Sequence, residues 1–438
     1  MPIITTFNLR NSLAKGLIGL IAQAPGNALY LTIGRQLPWP TEPTAPPPID
    51  SIHQTKLAWD DMIFAKIVTF NNLSLVIPRY NWVSGNVYTA YTDTQSNLPT
   101  SQFYIYTSNN EVYKCLANGN GANSTVQPAG LGSASNNYIQ TMSDGYQWKY
   151  MLQVQPADIF LNSFYFGVPI VPPPNSLQAI IQQASVPGSI DVITVTSGGS
   201  NYVNSPTSFI VNISGDGTGA TAYANVSNNQ VQNIIMTNRG SGYSYANVTF
   251  TDPVGTGATA QAIMPPPGGH GAEADTELCA STVMVSTVTA NAELGFLTVN
   301  NAFREIGLLL NPLEFGSNTV SSNARCKVYV TLVVSGGVGS YNLNETVFQG
   351  TSINTSTFSG AVIDFDPIAG VITLNNIVGT PVLNGILYGL SSGTQRYVTN
   401  ITNPDLELYT GEFLLLDHEP PIQRNPNQQE AYQLLLQF

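Results

Sequence analysis

The segment 185–264 carries one pattern twice. Ile193-Thr-Val-Thr-Ser-Gly-Gly-Ser-Asn-Tyr202 is matched by Ile234-Ile-Met-Thr-Asn-Arg-Gly-Ser-Gly-Tyr243, and Gly217-Thr-Gly-Ala-Thr-Ala222 by Gly255-Thr-Gly-Ala-Thr-Ala260. The offsets are 41 and 38 residues, so the repeating unit is some forty residues long. Each copy reads as strand, Gly-rich turn with Tyr, strand, Gly-Thr-Gly turn, strand. One such unit could hardly bury a core by itself, which predicts that the two copies pair their apolar faces into one small β-module.

A second stretch, 328–401, is almost free of charge and alternates runs such as Val328–Val334, Gly360–Phe365, Val371–Leu374 and Ile386–Leu390 with turns. It reads as a sandwich or small barrel. Pro265-Pro266-Pro267-Gly268-Gly269 closes the first segment and Thr402-Asn403-Pro404 the second. Both are therefore read as insertions into a host body. The body comprises 1–184 (short helices plus a β-sandwich), 266–327 and the closing segment 405–438; the inserts are 185–265 and 328–404.

Elsewhere the runs Leu29–Ile33, Leu73–Ile77, Phe103–Tyr106, Val112–Cys115 and Trp148–Val154 are punctuated by Asn, Gly and Pro, which is strand-and-turn texture. Only 9% of residues are charged, against roughly 25% in an ordinary soluble domain. Long exposed helices, which need Glu, Lys and Ala, are disfavoured. The expected class is mainly β, with multidomain antiparallel β-sandwich or barrel modules and a small N-terminal helical portion. That portion is a helix from Asn8 to Ala24, ended by Pro25-Gly26, and a second from Ser51 to Ala65 with Trp59, Met62 and Ile63 on one face. Thr41–Pro48 is too rich in proline for a helix or a sheet interior and reads as an extended surface strap.

Arg10 and Lys15 before Leu17-Ile18-Gly19-Leu20-Ile21, with Ala22-Gln23-Ala24 behind, mimic a secretory leader. Gly19 breaks the short run, and a helix docked on the body is the reading adopted. No stretch approaches the ~20 apolar residues of a membrane span, so no membrane partner is expected. Lys plus Arg number 14 against 26 Asp plus Glu, for a net charge of −12. With no basic cluster to neutralise phosphates, nucleic acid is not expected as a partner. Cys115, Cys279 and Cys326 are odd in number, far apart and outside any C-x-x-C pair, so they are read as buried free thiols.

No motif in the chain marks a catalytic, cofactor or metal site. His53, His270 and His418 show no two-His spacing, and His418-Glu419 runs into Pro420-Pro421. There is no G-x-S-x-G elbow and no P-loop. Ser12-Leu-Ala-Lys15 matches S-x-x-K with no companion motif. Gly215-Asp-Gly-Thr-Gly219 precedes a strand-like run and lacks the helix a dinucleotide loop must open. Among the carboxylates Asp60/Asp61, Glu273/Asp275/Glu277 and Asp364/Asp366, the last pair could share a strand face as a glycosidase needs. Glu273, Asp275 and Glu277 lack the spacing of a Ca²⁺ loop. A rival reading is a glycan- or receptor-binding β-protein, with tyrosines beside the Gly turns stacking on sugars.

Outside the two inserts an ordered series of motifs runs along the chain. It comprises Leu31-Thr-Ile-Gly34-Arg35-Gln-Leu-Pro38-Trp39, Val76-Ile-Pro78-Arg79-Tyr-Asn-Trp82 and Val112-Tyr113-Lys114-Cys115-Leu116. It continues with Ser143-Asp144-Gly145-Tyr146-Gln-Trp148-Lys-Tyr150 and Phe303-Arg304-Glu-Ile-Gly-Leu-Leu-Leu-Asn311-Pro312-Leu-Glu314. It closes with Gly411-Glu412-Phe-Leu-Leu-Leu-Asp-His-Glu-Pro420-Pro421-Ile422. In this order the set resembles the baseplate wedge proteins of contractile-tailed (myovirus) bacteriophages, the gene-product-eight family. The resemblance covers 25–170, 266–314 and 405–438; both inserts are departures from the T-even type.

The resemblance implies a virion structural protein of the tail baseplate, assembled in the host cytoplasm. It would form a homodimer within a wedge, and its partners would be the other wedge proteins. The residues themselves carry humbler expectations. Trp39, Trp82 and Trp148 should be core anchors, and Arg35, Arg79 and Arg304 should be held by carboxylate or backbone acceptors. Asp144-Gly145 should be a hairpin-type turn.

Overall fold

A computed structural model describes residues 4–23, 26–203 and 209–438; Ala24 and Pro25, at the expected end of the first helix, lie outside the described residues. Strands hold 43% of the residues and helices 12%, in several antiparallel sheets and one six-stranded barrel. The chain divides into two compact units. One comprises Met1–Gly16, Ser74–Met284 and Gln437–Phe438, and the other Leu17–Leu73 and Val285–Leu436. Among the described residues no helix is long and apolar enough to cross a membrane.

Among the described residues, four α-helices punctuate the strands beside short 3-10 turns: α1 (Phe7–Gln23), α2 (Ile52–Asp61), α3 (Leu177–Ala184) and the single turn α4 (Ala274–Glu277). The second corrects the expected span 51–65. Ser51 caps α2 by accepting from the Gln54 amide at 3.1 Å, but the helix stops at Asp61. Met62–Val68 is a strand whose first four side chains are all buried. Met-Ile-Phe-Ala is apolar at every position, which satisfies a strand covered on both faces as well as it does a helix stripe.

In the unit holding 285–436, five antiparallel strands follow the order Arg325–Lys327, Met62–Val68, Leu29–Gly34, Phe303–Leu310, Glu412–Ile422. Leu29–Gly34, near the middle, is buried at every position. Tyr30, Trp59, Met62, Leu309, Cys326 and Leu406 belong to the core on one side. Residues 330–402 of the same unit close into a barrel. Its strands run Val330–Val338, Val371–Gly379, Phe358–Asp366, Thr346–Gln349, Ile386–Gly389, Gln395–Thr402 and back to the first. Leu332, Val347, Phe358, Val362, Ile372, Leu374, Leu387 and Val398 fill it. Closure leaves no free edge in this nearly uncharged stretch.

In the other unit, Tyr104–Tyr106, Glu111–Asn118, Tyr146–Gln153 and Ile139–Thr141 form a sheet in that order. Its core is aromatic: Tyr88, Tyr113, Tyr146, Trp148 and Tyr150 surround Cys115 and Ile181.

The two repeats do more than face each other; they exchange strands. Val192–Ser200 of the first copy pairs with Thr256–Ile263 of the second, and Thr218–Ser227 of the first with Gln230–Ser241 of the second. The middle strands Ile210–Gly215 and Ala246–Thr251 pair with one another. Matching side chains then meet twice over. Thr196 and Thr259 hydroxyls lie 2.7 Å apart, as do those of Thr221 and Thr237. The Ala258 amide donates to the Tyr202 hydroxyl at 3.2 Å and the Ala220 amide to that of Tyr243 at 3.3 Å. Each tyrosine covers a glycine of the other copy: a Cβ on Gly255 would come within 2.2 Å of the Tyr202 ring, and one on Gly217 within 2.4 Å of the Tyr243 ring. The repeated Gly and Tyr are thus two halves of one packing contact.

Candidate functional site

The ordered motifs gather into two clusters, one in each unit. In the first, the chain leaves the buried strand Leu29–Gly34 by turning over α2. A Cβ on Gly34 would sit 2.9 Å from the Asp61 carbonyl oxygen, so only glycine permits this approach. The Arg35 amide donates to that same carbonyl at 2.8 Å. The Arg35 guanidinium meets Asp61 Oδ2 at 2.6 Å and lies 3.9 Å over the ring of Trp39, which follows Pro38. The Trp39 indole N–H donates to the Glu419 carbonyl at 2.9 Å, and its ring packs 4.6 Å from His418.

Fully buried Gln36 exchanges amide hydrogen bonds with Asn375: its Nε2 donates to Oδ1 at 2.5 Å and its Oε1 accepts from Nδ2 at 2.7 Å. Asn376 Nδ2 donates to Asp61 Oδ1 at 2.9 Å. Next to buried Phe303, Arg304 donates to the Gln36 carbonyl at 2.6 Å and pairs with Glu42 of the proline strap. Asn311 Oδ1 accepts from the Ala28 amide at 2.8 Å, with Pro312 buried beside it. Gly411 immediately precedes the strand Glu412–Ile422, and Pro420-Pro421 lie near its end.

His418 is the titratable centre of this cluster. Its Nδ1 lies 2.8 Å from the Pro46 carbonyl oxygen of the strap, its Nε2 3.0 Å from Glu305 Oε2 and 3.2 Å from the Gln54 amide. Burial works against the imidazolium, but the Glu305 hydrogen bond and charge and the Pro46 carbonyl outweigh it, so the pKa is raised. Burial likewise pushes the Glu305 carboxyl up, with His418 pulling it partly back. Both shifts have one sign. A raised folded pKa contributes stability that is complete below the unfolded value and is lost as pH rises through the folded one. Replacing His418 with Gln should therefore destabilise the protein most below about pH 6.5. The wild-type advantage should shrink as pH rises from there, read as paired urea-unfolding curves; a pH-independent difference would contradict the assigned contacts.

The second cluster lies on the aromatic sheet. The Tyr104 hydroxyl donates to the Pro78 carbonyl at 2.8 Å. Arg79 donates to Asn81 Oδ1 at 2.9 Å and the Asn162 carbonyl at 3.1 Å, and covers the Tyr106 ring at 4.3 Å. Trp82, half-buried, donates to the Ser124 hydroxyl at 3.0 Å. The Tyr113 hydroxyl lies between two acceptors, 3.0 Å from Glu111 Oε2 and 2.8 Å from the Gly130 carbonyl. Cys115 stands opposite Trp148, and Tyr150 packs edge-on against Tyr113. Asp144-Gly145 turns the chain between the paired strands Ile139–Thr141 and Tyr146–Gln153. Burial opposes ionisation of Asp144, but the Thr125, Val126 and Tyr146 amides donating to its carboxylate outweigh that and lower its pKa.

Below this sheet lies a constellation that the sequence reading passed over. Lys114, His270 and Glu277 are all buried. Lys114 Nζ sits 2.9 Å from Glu277 Oε2, 3.1 Å from His270 Nδ1 and 4.1 Å over the Tyr91 ring. Burial disfavours the Glu277 carboxylate, yet the Lys114 charge and the neighbouring His270 ring hold its pKa down at about 2. Burial and the Lys114 charge push His270 the other way, toward neutral imidazole. Lys149, buried on the same sheet and donating to the Asn137 carbonyl at 2.6 Å, is lowered to about 8, chiefly by burial. The available signal was Lys114 itself, a lone charge within Val-Tyr-Lys-Cys-Leu. A cleft of about 660 Å³ opens over Lys114 and Glu277, with Pro266, Pro267 and Leu98 among its walls. The ammonium donors are already directed at Glu277, His270 and the Tyr91 face, so the arrangement is suited to pinning α4 and its approach loop to the sheet.

The other carboxylates singled out in the sequence are likewise engaged. Asp275 holds Lys15 at 2.5 Å. Glu273 accepts from the Thr276 hydroxyl at 2.9 Å. Asp364 accepts from Asn300, while Asp366 accepts the Ile368 and Ala369 amides of its own turn. Among the described residues no three His, Cys, Asp or Glu side chains are placed to hold a metal ion. Cys115 and Cys326 are buried free thiols and Cys279 is a half-buried one. Of the tyrosines in the repeat segment, Tyr202 and Tyr243 are 3% and 7% exposed, whereas Tyr223 and Tyr245 are 49% and 56% exposed. No family model and no curated protein matches the chain.

Proposed function

We propose that this chain is a structural component of the baseplate wedge of a contractile phage tail. In this reading it holds neighbouring wedge proteins together as a homodimer within each wedge and moves as a rigid part during contraction. The observation that carries the reading is how the motif residues are used. Arg35, Trp39, Arg304, Trp82, Asp144 and Trp148 turn to other parts of the same chain and lock strand ends and straps in place. Groups committed in this way give fixed surfaces, as a part that transmits force between neighbours requires. The alternative, a glycan- or receptor-binding β-protein of the tail periphery, would have to use the exposed Tyr223 and Tyr245, because Tyr202 and Tyr243 are buried. Mixing the purified protein with neighbouring wedge proteins and weighing the products tests the proposal. A defined complex is expected; no association at micromolar concentration, or absence of the chain from purified virus particles, overturns it.

A further inference from the structure

The strand Glu412–Ile422 differs from every other strand of its sheet. It is eleven residues long, lies at the edge, and none of its residues is fully buried, whereas seven of the eight in the adjacent Phe303–Leu310 are. Its run Phe413-Leu414-Leu415-Leu416 is apolar and partly open to solvent, with Leu414 at 37% exposure. The opposite edge is only the three-residue strand Arg325–Lys327. A long edge with accessible apolar side chains presents backbone donors and acceptors that invite another strand. Pro420 and Pro421 lack amide donors and end the pairable stretch. What precedes them, 412–419, spans about 27 Å at ~3.4 Å per residue.

The charge on this edge selects the occupant. Glu412, Asp417 and Glu419 form no ion pair among the described residues. Asp417 and Glu419 flank His418, which turns to Glu305, and the ladder with Phe303–Leu310 shifts register beyond His418 and again at Leu414. Burial and then the Asp417 charge raise the Glu419 pKa. A second copy of the same strand paired about Asp417, His418 or Glu419 would set carboxylates against carboxylates. We propose that 412–419 is a strand-addition site for an extended segment of another polypeptide bearing Lys or Arg at alternate positions. The backbone ladder would supply affinity, and the two carboxylates the preference for a basic partner.

The test uses the full chain and a capped octapeptide of alternating lysine and valine, titrated by calorimetry, with a glutamate–valine octapeptide as control. The basic peptide should bind and slow hydrogen exchange at the 412–419 amides. Asp417→Lys with Glu419→Lys should weaken it at least about tenfold and admit the acidic peptide instead. These substitutions leave the bond from Trp39 intact, because that bond ends on the Glu419 main chain. N-methylation of one alternate set of peptide amides should abolish binding, and methylation of the other set should not. No binding at millimolar peptide overturns the proposal, as does binding indifferent to the methylated set or to charge reversal. Self-association that protects 412–419 without peptide also overturns it, because the occupant is then a second copy. Co-assembly with wedge proteins is read separately, so either idea can fail alone.

Discussion

Replacing Glu277 with Gln is expected to destabilise the protein by about 3–5 kcal/mol, the range for leaving a buried charge without its partner. Lys114 would then sit at 0% exposure with only a neutral imidazole, a neutral amide and an aromatic face around it. The cost is not the worth of the ion pair. It is the desolvation of an ammonium that nothing offsets. Changing both partners, Lys114→Met with Glu277→Leu, should recover much of the loss, since apolar groups of similar size often replace a buried pair at little cost. Urea unfolding of the three proteins measures both effects, and a single-variant loss below about 1 kcal/mol would mean that water reaches the site. The pH dependence has the opposite sign to that of His418. A carboxyl held down at about 2 contributes stability that is present above its ordinary 4.5 and is lost as pH falls toward 2. Acid should therefore erase the difference between wild type and Glu277→Gln.

Local texture carried much of the fold into the sequence, and distance hid the rest. Leu29–Ile33, Leu73–Ile77 and Trp148–Val154 were legible because apolar runs between Gly, Pro and Asn leave few alternatives to short strands. The repeat was legible as a repeat, but the exchange of strands between copies was not. The same alternation serves a strand paired within its own copy or across to the other. Helix α3 was missed although its signals were present: Ser176 caps it by accepting from the Ala179 amide at 3.1 Å, and Leu177 and Ile181 lie one turn apart. The Gln36–Asn375 exchange joins residues 339 apart in sequence, and nothing local marks either amide. Of the motif residues, the three arginines could be seen to need acceptors. That Asp61 and Glu42 would meet two of them, and the Asn162 carbonyl the third, emerged only when the chain was folded.

The aromatic sheet should be as sensitive as the buried ion pair. Trp148 is fully buried, stacks on Tyr146 at 5.3 Å and 13°, and meets the Tyr88 ring at 5.6 Å. Trp148→Ala removes an indole from a site that rigid strands on either side prevent from collapsing, so a loss of about 3–5 kcal/mol is expected. Trp148→Phe should cost far less, for two reasons. A phenyl ring keeps the stack on Tyr146, and it also deletes an indole N–H that finds no acceptor among the described residues. An unmet buried donor of that kind carries a penalty of ~1–3 kcal/mol, which offsets part of the smaller cavity. Urea unfolding followed by far-ultraviolet circular dichroism distinguishes the two variants. Equal losses would show that the indole nitrogen has an acceptor after all, and that packing area alone does not set the stability of this sheet.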